Sequence, residues 1–224
     1  MSQNLYWLIQ NYSDVPEGDD WLSAGERAVL AGKRFAKRRN DWLLGRWTAK
    51  KLICACQSQK DPSLTSLEIR AADDGAPEAF RDGEPAGVSI SISHSSARCM
   101  CAAGPPDYLL GCDLEQIEQR DIQFFEDYFA PEEMALLRDA PAEKSLVAYL
   151  IWSAKESTLK ALRQGLRRDT RSVLIYPEFP TPEDSWNPWT GHCLESSRKF
   201  YGWWRACDGY IYTIASDHPS SLPE

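Results

Sequence analysis

Two short stretches of this chain place ionisable side chains at spacings that chemistry can use. In Gly111-Cys112-Asp113-Leu114-Glu115 two acids stand two residues apart. On a strand such residues share a face, so both carboxylates project together. Like charges that close are costly unless protons or a cation neutralise them. A hard ion such as Mg²⁺ does so while taking phosphate oxygens as further ligands; an exposed acidic strand face explains the same residues without chemistry. In Trp152 to Lys160 (WSAKESTLK), Glu156 and Lys160 stand four apart on a helical pattern, which suits a surface ion pair as well as a site. Trp152, one turn earlier, sets an indole beside Glu156, an arrangement better suited to a pocket than to a solvated face.

Two further groups could meet phosphate. His94 follows the alternating stretch VSISIS among Ser93, Ser95 and Ser96; ring N–H groups, hydroxyls and backbone amides at a strand end can hold an anion, and a small polar turn reads equally well there. Lys33, Arg34, Lys37, Arg38, Arg39, Arg46, Lys50 and Lys51 crowd into 19 residues of a chain whose formal net charge is -8. Arginine suits bidentate phosphate capture, and a solvated helix face is the alternative. The acidic total argues against nucleic-acid binding, which needs a basic footprint. The seven cysteines, with Cys54/Cys56 and Cys99/Cys101 two apart, fit neither a zinc CxxC knuckle nor a disulfide framework and read as reduced, buried thiols.

The elements that must position these residues follow from periodicity. Strands are expected at 4–10, 64–71, 88–93, 98–103, 109–117, 172–176, 200–207 and 210–215, with turns at 73–77 and at Asp208-Gly209. Helices are expected at 21–31, led by Asp19-Asp20, at 34–56, around 124–129 and 132–138, and over 142–166. Helix-then-strands occurs twice, with a break near 116–121, so two halves of similar size are expected, 1–117 and 118–224. The C-terminal HPSSLPE is expected to fray. No apolar run of spanning length and no signal-like N-terminus occurs, so no membrane contact and a cytoplasmic setting are expected.

Assembled, these residues resemble the 4′-phosphopantetheinyl transferase superfamily, in its larger type that activates peptide and polyketide synthases. Its signatures G-x-D-x-E and W-x-x-K-E-[AS]-x-x-K stand here as GCDLE (111–115) and WSAKESTLK (152–160), in the same order and roughly 40 residues apart. Ser93-His94 matches the family's Ser-His, and AKRRNDWLLGRW (36–47) its Arg-rich helix. The resemblance implies an α+β fold of two similar α/β subdomains related by a pseudo-twofold, each an antiparallel sheet packed on a long helix, with coenzyme A between them, in a monomer. It implies that Asp113, Glu115 and Glu156 hold Mg²⁺, that Lys155 and Lys160 meet the pyrophosphate, that Ser93 and His94 meet coenzyme A phosphates, and that Arg38 and Arg46 hold the 3′-phosphate. Arg38 and Arg46, eight apart, lie about 80° apart around a helix, and Arg39 is the rival on geometry. Many members carry Gly-Lys-Pro on the turn before the Ser-His strand; this chain has Gly75-Ala76-Pro77 and lacks that lysine.

The activity so implied is Mg²⁺-dependent transfer of phosphopantetheine from coenzyme A to a serine of an apo acyl or peptidyl carrier protein, releasing 3′,5′-ADP. Catalysis would fall to Glu156, taking the serine proton directly or through water, and to Lys160, neutralising charge on the leaving phosphate. The carrier could serve fatty-acid, polyketide or nonribosomal peptide synthesis. Arg163, Arg167, Arg168 and Arg171 could steer an acidic carrier, or cap a helix end. The rival readings are a non-catalytic coenzyme A or nucleotide-binding module and a metal-dependent phosphohydrolase.

Overall fold

Ser23 opens the first helix. Its Oγ accepts the Glu26 N–H at 3.0 Å while Glu26 Oε2 accepts the Ser23 N–H at 2.9 Å, a reciprocal cap that fixes the start. α1 therefore runs Ala24–Ala31 rather than from Trp21, and the acids at 19–20 stay outside it. The computed structural model describes residues 4–57, 63–121, 123–139, 144–179 and 185–224. α2 (Ala36–Cys56) follows and buries Ala49, Leu52 and Ile53 against a three-stranded antiparallel sheet. That sheet has the order β1 (Tyr6–Asn11), β6 (Arg98–Gly104), β5 (Ser89–Ser95). β5 and β6 turn at Ser96 and Ala97, with φ of 46° and 67°, the left-handed pair that matches hairpin twist. β2 (Leu67–Ala71), β3 (Pro77–Arg81) and β4 (Glu84–Pro85) form a small sheet of their own.

β7 (Leu110–Gln116) closes the first half, and the chain continues through α3 (Gln123–Glu126), α4 (Pro131–Asp139) and α5 (Lys144–Ala161). Four strands follow: β8 (Val173–Pro177), β9 (Asn187–Cys193), β10 (Arg198–Cys207) and β11 (Tyr210–Ser216). They join β7 in an antiparallel sheet ordered β7-β11-β10-β9-β8, on which α5 packs Ala148, Ile151, Ala154 and Leu159. Helices on antiparallel sheets make the fold α+β, as expected.

The same device anchors both long helices. Lys50 of α2 pairs with Glu26 Oε2, while Glu26 Oε1 accepts the β2 amide of Ile69 at 3.0 Å. Lys155 of α5 pairs with Glu133 Oε2 at 2.7 Å, while Glu133 Oε1 accepts the β8 amide of Ile175 at 2.9 Å. Each lysine gives its remaining protons to two backbone carbonyls, Trp21 and Leu64 for Lys50, Thr170 and Val173 for Lys155. An ammonium has three donors, so both are fully engaged at 0% exposure.

Several expectations shift. α5 ends at Ala161 instead of 166, because Arg163 turns to φ 57° and the Gln164 N–H bonds back to Leu159 O at 3.0 Å; its expected start at 142 lies outside the described residues. β3, β4 and β9 were not expected. The chain end, expected to fray, is tied to β1: Trp7 N–H donates to Glu224 O at 3.0 Å and Glu224 N–H to Leu5 O at 2.9 Å. Among the described residues no helix is long and apolar enough to cross a membrane.

Candidate active site

β5 and β7 meet side by side, joined through the side chains of alternate serines. Ser91 Oγ accepts the Cys112 N–H at 2.9 Å, and Ser93 Oγ donates to Asp113 Oδ1 at 2.9 Å. α5 lies directly across this seam because Gly111 has no side chain. A Cβ there would collide with the Ser157 carbonyl oxygen and stand 2.7 Å from the Ala161 nitrogen. That close approach lets Lys160 reach the seam. Its Nζ lies 2.7 Å from Asp113 Oδ1, 2.9 Å from Ser93 Oγ and 3.2 Å from the Cys112 carbonyl oxygen. The two signatures and the Ser-His strand thus converge on one carboxylate.

Asp113 is 3% exposed, and its second oxygen accepts from Ser153 Oγ at 2.8 Å. Glu115, on the same strand face, accepts the Trp152 indole N–H at 3.0 Å. The indole expected beside Glu156 thus donates to Glu115. Burial, then Asp113, push Glu115 up to about 7, with Glu156 adding and Trp152 opposing. Burial, then Asp113, likewise push Glu156 up to about 7, against Lys160. Burial works against the charge of Lys160, but Asp113, Cys112 and Glu156 outweigh it and its pKa is raised. The site therefore holds more negative charge than its lysine neutralises.

Three acids with raised proton affinity on two of them suit a hard dication by donor chemistry. Among the described residues no three His, Cys, Asp or Glu side chains stand close enough together to form a metal cluster. Asp113 is turned instead towards Ser93, Lys160 and Ser153.

His94 packs on α2. A Cβ at Gly45 would stand 2.9 Å from its Cε1 and 3.0 Å from its Nε2, so the glycine makes room for the ring. His94 is exposed overall, but desolvation of the ring where it packs on α2 lowers its pKa first; Asp41 opposes, and Lys160 and Arg46 add to the lowering. The ring thus sits between the basic helix and Lys160. Arg46 stacks on Trp42, 4.5 Å from guanidinium to ring centroid. Its Nε is buried without a partner among the described residues, and burial lowers its pKa to about 10 against Glu26 and Cys99. Arg38 is exposed, 5.8 Å from the Phe35 ring centroid. Its rival Arg39 donates to Leu30 O at 3.4 Å, at the end of α1.

Lys155 is not at this site. It points to the other side of α5, into the Glu133 pair already described, where burial lowers its pKa against Glu133. Residues 155 and 156 are neighbours on a helix and face different ways; Glu156 faces Asp113, so Lys155 cannot. The second basic run is also engaged. Arg163 pairs with Asp74 and Glu78, Arg168 with Glu195 and Arg171 with Asp169, while Arg167 donates to Asp74 O at 3.1 Å.

Beside Lys160 opens a cleft of about 940 Å³. The turn 74–77, β3, the start of β5, the loop 106–109 and the end of α5 wall it, with Arg163 and Arg167 at its rim. Sequence reasoning missed Ser153 and Thr213, both 0% exposed beside Asp113. The signal available was a serine inside the helical signature and a threonine within the apolar strand YIYTIA.

Residues 109–215, just under half of the chain, match the family model of the 4′-phosphopantetheinyl transferase superfamily. The resemblance to the superfamily read from the two signatures is borne out over that stretch, and the match does not distinguish its larger type. Comparison with curated protein sequences gives no match. Among solved structures, the holo-(acyl-carrier-protein) synthase of Thermotoga maritima is similar at 17% identity and a TM-score of 0.39, over 58% of this chain and 76% of that one. The acyl carrier protein synthase of Mycobacterium tuberculosis is similar at 17% identity and a TM-score of 0.32, over 45% of this chain and 94% of that one.

Proposed function

We propose that this chain transfers phosphopantetheine from coenzyme A to a serine of an apo acyl or peptidyl carrier protein, as a monomeric cytoplasmic enzyme of the superfamily's larger type. The observation that carries this reading is the meeting of Lys160, from one signature, with Asp113, from the other, on Ser93 of the Ser-His strand. The open cleft beside Lys160 is large enough for a nucleotide-sized ligand. We divide the chain at 117/118, a division that the twin Lys–Glu anchors support and that β7 bridges by pairing with β11.

The serine oxygen attacks the phosphopantetheine phosphorus. One O–P bond forms there, the bond to the pyrophosphate bridging oxygen breaks, and 3′,5′-ADP leaves with that oxygen. Glu156 takes the serine proton; a carboxylate pushed up to about 7 is matched to proton transfer near neutrality. Lys160 neutralises the phosphate oxygens, Ser93 and His94 bind phosphate, and Arg46 with Arg38 holds the 3′-phosphate. The unpartnered Nε of Arg46 leaves a donor for that anion. Asp113, Glu115 and Glu156 would hold Mg²⁺, which when bound supplies charge neutralisation at the pyrophosphate. Lys155 has no part in binding.

The test is incubation with Mg²⁺, coenzyme A and a panel of apo carriers, followed by mass spectrometry of the carrier. A mass gain of one phosphopantetheine is expected on at least one carrier, and the panel identifies the pathway served. Coenzyme A binding with no mass gain on any carrier would establish the non-catalytic binding module instead.

A further inference from the structure

Asp113 is gripped from α5 at both oxygens: Lys160 holds Oδ1 at 2.7 Å, and Ser153, two turns earlier on the same helix, holds Oδ2 at 2.8 Å. Behind Ser153 stands a second hydroxyl. Thr213 Oγ1 lies 2.9 Å from Ser153 Oγ and 2.9 Å from the Ser153 carbonyl oxygen. Thr213 is also the residue directly opposite Asp113 in the β11–β7 register. Ser153 and Thr213 are each 0% exposed.

The proton count then leaves one arrangement. A hydroxyl has a single proton. Thr213 donates its proton to the Ser153 carbonyl oxygen and sets its own oxygen against Ser153 Oγ, while the Ser153 proton goes to Asp113, which as a carboxylate only accepts. Thr213 fixes Ser153, and Ser153 fixes the plane of the carboxylate. Solvated carboxylates rotate; this one cannot without breaking a buried hydrogen bond, which would leave an unpaired polar group.

We propose that Ser153 and Thr213 are positioning residues that set the orientation of Asp113 for the cation and phosphate it meets in the transfer reaction. This rests on the function proposed above, and neither residue touches a substrate. The order of action is Thr213, Ser153, Asp113, so loss of Ser153 has the larger effect and loss of Thr213 a smaller one in the same direction.

The test uses the whole chain and Mn²⁺ as probe, with affinity read by electron paramagnetic resonance, alongside melting temperature and kcat. Removing a hydrogen-bond partner of a metal-binding carboxylate typically costs about 10–100-fold in metal affinity. We expect Ser153→Ala to weaken Mn²⁺ by about tenfold or more and to lower kcat in proportion, with coenzyme A affinity in the absence of metal unchanged. Thr213→Val, which keeps the shape and removes the hydroxyl, should weaken Mn²⁺ less, and Thr213→Ser should restore wild-type affinity. Should Ser153→Ala fail to fold, the contrast between Thr213→Val and Thr213→Ser decides alone. Mn²⁺ affinity equal to wild type in both hydroxyl-free variants overturns the proposal, whatever happens to melting temperature. A wild-type chain that neither holds Mn²⁺ nor modifies a carrier removes the functional reading and this proposal together; the two failures are distinct.

Discussion

The ammonium of Lys160 places its three protons on Ser93 Oγ, the Cys112 carbonyl and Asp113 Oδ1, so it is held where two signatures and the Ser-His strand meet. A pyrophosphate oxygen at the same place would exchange a neutral hydroxyl or carbonyl for a charged acceptor, which roughly doubles the strength of the bond. Lys160→Ala should therefore lower kcat by about 10²–10³, and Glu156→Gln by about 10²–10⁴. Coenzyme A affinity, measured separately by calorimetry, should fall for Lys160→Ala and hold for Glu156→Gln; near-normal turnover in both would refute the roles. The raised acids make a second prediction, for stability. Glu115 and Glu156 move from 4.5 to about 7 on folding without metal, so the folded chain holds protons there that the unfolded chain has lost. Their contribution is fully present below about 4.5 and is lost as pH rises through about 7. The melting temperature of the metal-free wild type should therefore decline across that window more steeply than that of Glu115→Gln/Glu156→Gln. Equal slopes would show that the two acids do not titrate as a buried pair. That Asp113 and Glu115 share a strand face, and Glu156 and Lys160 a helix face, was legible from periods of two and near four; that they belong to one candidate site with Ser93 came from the resemblance, not from periodicity. The place of Lys155 was not legible, since the signature shows that a lysine is wanted and not which side of α5 it serves; Glu133, its partner, lies outside the signature.

α5 carries the residues of the proposed site on one face and its anchor on the other. Glu156 and Lys160 face Asp113, while Lys155 faces Glu133, whose carboxylate also takes the amides of Ala130 and Ile175. Glu133→Gln would leave the Lys155 charge buried and uncompensated, and breaking a buried pair this way costs about 3–5 kcal/mol. Burial holds Glu133 above and Lys155 below their ordinary values, which draws the figure towards the lower end. The seam beside β7 has no such slack. Gly111→Ala would drive a methyl into the Ser157 carbonyl, and since both sides are backbone, α5 must shift. An overpacking cost of about 1–3 kcal/mol is expected, with a loss of transfer activity larger than the loss of coenzyme A affinity, because α5 is what brings Lys160 and Glu156 to Asp113. Activity retained alongside a lowered melting temperature would show that the helix relaxes in place. The elements that sequence reasoning missed have physical reasons. β9 contains Pro188 and Gly191, residues that read as breakers; Pro188 is the second residue of the strand and lies beyond the stretch paired with β8, while Gly191 is paired on both sides, with Phe200 and Ile175. β4 is two residues long, too short for periodicity to register. The twin anchors escaped notice because the lysine follows its glutamate at different separations in the two halves and shares no local motif.

At the scale of the whole molecule, the end of α5 reaches across the cleft to the turn at 74–77. Arg163 Nε and its terminal nitrogen hold both oxygens of Asp74, at 2.7 and 3.2 Å, and the same terminal nitrogen holds Glu78 at 2.7 Å. These side chains are 43%, 30% and 40% exposed, so each pair contributes only about 0–1 kcal/mol. Arg163 also sits at φ 57°, a left-handed conformation that costs a residue with a Cβ roughly 1–2 kcal/mol. Tie and strain are of similar size, so the bridge closes the rim of the cleft without locking it. Ligand entry past Gly75-Ala76-Pro77 then needs no unfolding, and under the proposed function coenzyme A bound there would gain from the closed rim only what the tie provides. Arg163→Gln should leave the melting temperature nearly unchanged and leave kcat alone. Coenzyme A should dissociate faster, and its KM should rise by up to about fivefold, the factor that corresponds to about 1 kcal/mol. Arg163→Lys, which keeps one charge and loses the fork, should fall between. Stopped-flow release of coenzyme A separates the cases: an unchanged release rate in Arg163→Gln means that the bridge does not gate the cleft, and a large drop in melting temperature means that it belongs to the fold.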